Sequence, residues 1–128
     1  MIKTITVGNV GVRMRATAST PRLYRIKFKR DIFKDMQALK SATNNSDPEN
    51  SGLSVEDLTV FENVAYIMAL QGDYDDNGNR IGNVPGSAEE WLDSFDGIFS
   101  IYEALPQIIE LWGENLQTTS KSKKKIRT

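Results

Sequence analysis

The sequence predicts a mainly α-helical small domain with an N-terminal β-hairpin and a disordered basic C-terminal tail. Three observations predict it. Apolar and polar residues alternate near the amino terminus, apolar residues then recur at helical spacing behind recognisable caps, and the last residues are rich in lysine with a single apolar side chain. At 128 residues the chain is one domain's worth, read as residues 1–117 followed by a tail over 118–128. Hydrophobic residues make up 39%, below the roughly 45–50% of an average domain even though that reference also counts glycine, so a modest core is expected.

The hairpin is expected within residues 1–16. Ile2 to Val7 are rich in β-branched types, and Val10, Val12 and Met14 fall on one face of a strand with Arg13 and Arg15 on the other. Gly8-Asn9 between the two runs suits a tight type II′ turn. Helices are then expected over residues 20–40. Thr20 followed by Pro21 reads as an N-cap and first helical position, with Leu23, Tyr24 and Ile26 leading to a stop near Phe28. Asp31 is a second cap, ahead of Ile32, Phe33, Met36 and Leu39 at helical spacing. Residues 41–52 are polar and turn-rich and predict a mobile loop.

The helix expected over 54–71 has the best local signature. Ser54 and Asp57 form a capping box, Leu53 and Leu58 a hydrophobic staple, and Leu58, Phe61, Val64, Ala65 and Met68 an apolar stripe widened by Tyr66 and Ile67. A helix with that much apolar surface belongs at the centre. A second polar loop follows to about Pro85-Gly86, and the last helices are expected over 87–116. Ser87 and Glu90 form the opening capping box for Trp91, Leu92 and Phe95. The run from Ile98 to Trp112 is interrupted by Pro106, which predicts a kink or break around Ala104-Leu105.

Composition excludes whole classes of chemistry. Cysteine and histidine are both absent, which rules out disulfides, thiol nucleophiles, Cys/His zinc sites, Ser-His triads and imidazole acid/base work. No phosphate loop or nucleophile elbow is present, and the acid pairs Glu89/Glu90 and Asp93/Asp96 read as solvated helix faces, so a non-enzymatic protein without cofactors is expected. Asp73, Asp75, Asn77 and Gly78 imitate the start of a calcium loop. The ninth and twelfth positions are Ile81 and Val84, so no carboxylate closes the shell; the segment reads as a polar turn and no metal is expected. No apolar run is long enough to span a bilayer and no signal peptide is legible at the amino terminus, which predicts a cytoplasmic protein with no membrane partner.

The net charge of -1 conceals three opposed blocks: residues 1–40 carry +8, residues 41–120 carry -14 and residues 121–128 carry +5. Such asymmetry points to partners or to self-association into oligomers or filaments, with a basic Arg13 to Lys40 surface on one copy meeting an acidic Glu56 to Glu114 surface on the next. The segment Arg22 to Arg30 interleaves cations with aromatics, as nucleic-acid surfaces do, but the acidic excess elsewhere disfavours that reading. Tyr24, Arg25 and Phe28 are the expected interaction surface, because they join apolar area to positive charge beside a flexible segment.

The run Ala16-Thr17-Ala18-Ser19-Thr20-Pro21-Arg22-Leu23-Tyr24-Arg25, then Phe28-Lys29-Arg30-Asp31-Ile32, and later Glu90-Trp91-Leu92 with Phe95 and Leu105-Pro106, resembles the tail assembly chaperones of long-tailed bacteriophages and prophages of Gram-positive bacteria. The likeness spans nearly the whole chain. It departs from the family at Lys29, where the family carries glycine, so the stop between the first two helices is not supplied by a glycine here. The resemblance implies an assembly factor in the cytoplasm of the infected host, absent from the finished virion. Its implied client is the helical tape measure protein, held soluble until tail tube protein polymerises around it. It also implies a short form and a longer frameshifted form, with Lys123-Lys124-Lys125 near the shift site. The alternative is a small nucleic-acid-binding or regulatory protein using residues 22–30 and the basic tail.

Overall fold

Alternation at the amino terminus does give two strands. In the computed structural model, which describes residues 2–7, 10–44, 54–97 and 102–114, β1 (Ile2–Val7) pairs antiparallel with β2 (Val10–Arg15). The register sets Ile5 opposite Val12, Lys3 opposite Met14 and Val7 opposite Val10, so these side chains share one face. Ile5, Val7 and Met14 are buried there. The Gly8-Asn9 turn and the tail over 118–128 lie outside the described residues.

Helix α1 (Thr20–Phe28) begins one residue from the expected boundary. Ser19 is the cap residue and makes no side-chain cap bond, while Thr20 is the first helical residue. Thr20 is fully buried because its hydroxyl is needed elsewhere: it accepts the Thr17 amide at 2.8 Å and donates to the Gln71 side-chain oxygen. Gln71 Nε2 donates in turn to Thr17 Oγ1 at 3.1 Å, so the turn before α1 is tied to a helix fifty residues away rather than capped locally.

The helix stops without glycine. Lys29 takes φ 59° and ψ 35°, and its amide donates to the Arg25 carbonyl at 2.8 Å to close the last turn. It is the only non-glycine residue with positive φ among the described residues. Left-handed backbone costs an L-residue about 1–2 kcal/mol. Lys29→Gly is therefore expected to raise unfolding stability by about 1 kcal/mol, read as a higher urea midpoint.

Asp31 caps α2 (Ile32–Asn44) as expected, its Oδ1 accepting the Phe33 amide at 2.9 Å. The helix overruns its expected end and takes residues 41–44 from the polar loop. Ile32, Met36 and Leu39 are buried and fix the earlier turns, and once a helix is nucleated each further residue adds a bond at little cost, even for Ser41 to Asn44. Residues 45–53, including the Leu53 half of the expected staple, lie outside the described residues.

Helix α3 (Val55–Gly72) is the axis of the fold, packed against β2, α1, α2 and the next helix, α4 (Ala88–Asp93). Both bonds of the expected capping box form: Ser54 Oγ accepts the Asp57 amide and Asp57 Oδ2 accepts the Ser54 amide, each at 3.0 Å. Val64 to Ala69 are buried without interruption, and a helix apolar on all sides has to be enclosed on all sides. Its last residue touches the hairpin backbone. A Cβ on Gly72 would stand 2.1 Å from the Arg13 carbonyl oxygen, so only glycine fits.

Ser87 Oγ accepts the Glu90 amide at 3.2 Å and starts α4 where the capping motif predicted. The helices expected over 87–116 are separate elements among the described residues. α4 ends at Asp93, residues 94–97 are non-helical, residues 98–101 lie outside the described residues, and a 3-10 turn (Tyr102–Ala104) leads into α5 over 105–114. Ser94 terminates α4 by bonding back to the Trp91 carbonyl. The change of helix type falls at Ala104-Leu105, just ahead of Pro106, whose missing amide is tolerated in a first turn. α5 returns to the amino terminus, where Glu110 meets Lys3 at 3.2 Å.

Candidate interaction surface

Arg22, Arg25 and Ile26 stand at i, i+3 and i+4 and so occupy one side of α1, and Lys29 follows at its left-handed end. All four are exposed. The opposite side, through Thr20 and Tyr24, is buried against the rest of the molecule. Beside this outer face, the start of α2 contributes Phe33, which is 51% exposed. Pro21, Arg25, Lys29, Arg30, Asp31, Ile32 and Phe33 line a shallow groove of about 460 Å³ between the two helices. Phe33 is not loose: its ring lies 5.4 Å from that of Trp112, which is buried in α5.

Of the three residues expected to form the surface, only Arg25 is exposed. Tyr24 is a core residue with no exposed area, and Phe28 is half-buried with its ring 5.3 Å from that of Tyr24. The reason is chemical. The Tyr24 hydroxyl donates to Asp35 Oδ2 at 2.7 Å, and Arg30 holds the same carboxylate through Nε at 2.8 Å and NH2 at 2.9 Å. Arg30 also reaches Glu56 at 3.3 Å, joining α1, α2 and α3 at one point. Burial pushes the Asp35 carboxyl up, but the Arg30 and Tyr24 hydrogen bonds and the guanidinium charge outweigh it and hold the group below the usual carboxylate range. Burial, then the hydrogen bond and charge of Asp35, push the Tyr24 phenol well above its ordinary value.

Ile26 and Phe33, which belong to the apolar patterns of the first two helices, are 54% and 51% exposed. The spacing of Arg22, Arg25, Ile26 and Lys29 was readable in the chain. Which side of so short a helix faces inward is decided by α3 and by the Tyr24–Asp35 bond, neither of which is local.

Folding also redistributes the charge blocks. Lys3 pairs with Glu110, Arg13 with Asp76 at 3.4 Å, and Arg30 with Asp35 and Glu56. Lys27 donates to the Gly86 carbonyl at 3.1 Å and sits over the Tyr66 ring. Arg22, Arg25 and Lys29 form no ion pair among the described residues.

The calcium-like segment is a turn closed by its own acids. Asp73 is buried and accepts the Asn83 and Val84 amides at 3.1 and 3.0 Å, while Asp75 Oδ1 accepts those of Asn77 and Asn79, both at 2.9 Å. Asp73→Ala leaves two amides unpaired and is expected to cost about 2 kcal/mol, with faster hydrogen exchange at Asn83 and Val84 as the local readout. Among the described residues, no group of three His, Cys, Asp or Glu side chains is placed to hold a metal ion, and no helix is long and apolar enough to cross a membrane. Compared with known proteins, the chain matches no family model, no curated sequence and no solved structure.

Proposed function

We propose that this protein is a non-enzymatic assembly chaperone of the phage tail type, acting in the host cytoplasm to cover apolar helical stripes of a tape measure protein until tail tube subunits replace it. The observation that supports this reading is apolar side chains at the surface of α1 and α2, exposed Ile26 on the first and exposed Phe33 on the second, with Arg22 and Arg25 forming no ion pair among the described residues. An exposed Phe33 in the groove, with Ile26 exposed on the adjoining helix, offers apolar area for a helix-in-groove contact. The likeness of residues 16–32 and 90–106 to such chaperones supports the same conclusion. In this reading the chain is the short form of a frameshifted pair, and copies associate along the client through residual charges such as the exposed Glu89, Glu90 and Asp93.

The test is co-expression with a tape measure fragment. The wild-type chain is expected to keep the fragment in the supernatant, and Ile26→Gln, which removes exposed apolar area from a helix without touching the core, is expected to lower that yield while shifting stability by no more than about 0.5 kcal/mol. Salt-sensitive binding of DNA or RNA in a filter assay, with the fragment left insoluble, decides for the nucleic-acid alternative instead.

A further inference from the structure

We propose that the basic segment Lys121 to Arg127 docks on its own domain, with Ile126 seated in the apolar groove between the hairpin and α4 and the neighbouring cations against the acids of that side. The contact does not depend on the chaperone reading.

Four segments meet at this groove. Val10 and Val12 of β2, Ile81 and Val84 of the second polar loop, and Trp91 and Phe95 at α4 line about 330 Å³ against the end of α3. Trp91 is buried, but Val10 and Ile81 are 53% and 47% exposed. Two half-exposed aliphatic side chains on one concave wall make an apolar cleft with room for a side chain or two, too narrow for a whole helix. The charged groups in its lining are already engaged. Arg13 pairs with Asp76 at 3.4 Å, and Asp73 accepts the Asn83 and Val84 amides. The interior therefore suits an uncharged, aliphatic group.

Charge then selects among the segments of the chain. Residues 73–114 carry ten acids and a single cation, Arg80. Beside the groove, exposed Asp93 and Asp96 flank the lining pair Ser94-Phe95 and form no ion pair among the described residues. Residues 121–127 carry five cations and no acid, with Ile126 between Lys125 and Arg127. An aliphatic anchor between two cations complements an apolar cleft beside two carboxylates, since the long basic stems cover the rim while their charges stay in solvent. Other segments outside the described residues match less well. Residues 45–53 carry Asp47 and Glu49 and no cation, residues 98–101 carry no charge, and Leu116 stands in the uncharged stretch 115–120. Reach is sufficient: Ile126 is twelve residues beyond Glu114, up to about 40 Å when extended, against a radius of gyration of about 14 Å for a domain of this length.

The chain has no cysteine, so a pair of introduced thiols reports one contact. Asn83→Cys, at an exposed position of the groove lining, is combined with Thr128→Cys; Val55→Cys, at the exposed start of α3, is combined with Thr128→Cys as the reference pair. These positions leave Ile126, the cations and the core untouched. Disulfide closure is followed in dilute full-length protein, each rate normalised to the reaction of the same thiols with a small free disulfide. The groove pair is expected to close about tenfold faster than the reference pair, because docking raises the effective concentration of the tethered thiol. Adding Ile126→Asp, or Lys123→Gln, Lys124→Gln and Lys125→Gln together, should return the groove pair to the reference rate. Salt at about 0.5 M should lower the advantage as well, because the ionic contacts are exposed. Equal rates for the two pairs overturn the proposal, as does an advantage that survives Ile126→Asp. Disulfides that join two chains in preference to closing one overturn it too, since they place the segment in the groove of a second copy.

Discussion

Gly72→Ala is expected to cost about 3 kcal/mol or more of unfolding free energy, an effect far beyond that of an ordinary glycine-to-alanine change. The added methyl would stand 2.1 Å from the Arg13 carbonyl oxygen, 2.7 Å from its carbonyl carbon and 3.0 Å from the Met14 Cα. All three are backbone atoms of a paired strand, so no flexible side-chain end is available to swing aside. Relief requires α3 and the hairpin to separate, which uncovers Met14 and the buried end of α3 together. Gly113→Ala is the matched control. It lies within α5 with nothing within 4 Å of its added carbon, so the same chemical change there should be neutral or stabilising by up to about 1 kcal/mol. Urea midpoints moving in opposite directions would confirm the close approach; equal midpoints for Gly72→Ala and wild type would refute it.

Asp35→Ala is expected to cost about 2–3 kcal/mol, the lower part of the range for breaking a buried ion pair because Arg30 stays partly in solvent. It strands the Tyr24 hydroxyl in the core and frees Arg30 from the point where α1, α2 and α3 meet. Adding Tyr24→Phe removes the stranded group, so the double variant should lose less than the two single losses combined. The same site sets a pH dependence of known sign. The Asp35 carboxyl titrates lower in the folded chain than in the unfolded one, so its contribution is present above about pH 4 and is lost as pH falls through the folded value. Tyr24 titrates higher when folded, so its contribution is present below about pH 10 and is lost as pH rises beyond it. Asp35→Asn should flatten the acid limb of a stability-against-pH curve relative to wild type; identical acid limbs would remove Asp35 from the account.

What the sequence made legible was local in origin. The Ser54–Asp57 box, the Ser87 and Asp31 caps and the alternation through Val10 to Arg15 each depend on residues within one turn or one strand, and each stands where expected. What escaped it depends on contacts between distant segments. Thr20 looked like a cap because the bond that buries it comes from Gln71, fifty-one residues on. Tyr24 looked like a surface aromatic because its partner Asp35 belongs to the next helix, and the inward side of α1 depends on its packing against α3. Lys29 lies between these cases. A helix stop was readable there from the flanking pattern, but its left-handed backbone was not, since nothing in a lysine announces it.

The clasp of β2 by Gly72 has a consequence for synthesis on the ribosome. The hairpin is complete once Arg15 has been made, yet the helix end it packs on is added fifty-seven residues later, several seconds at about 5–20 residues per second. The helix that pairs Glu110 with Lys3 is later still. A two-stranded hairpin is marginal alone, so throughout that interval Ile5, Val7 and Met14 have no surface to cover them. Each nascent chain thus passes through a stage in which its own first strands need shelter, and crowding on one messenger sets how often neighbouring hairpins meet before their helices arrive.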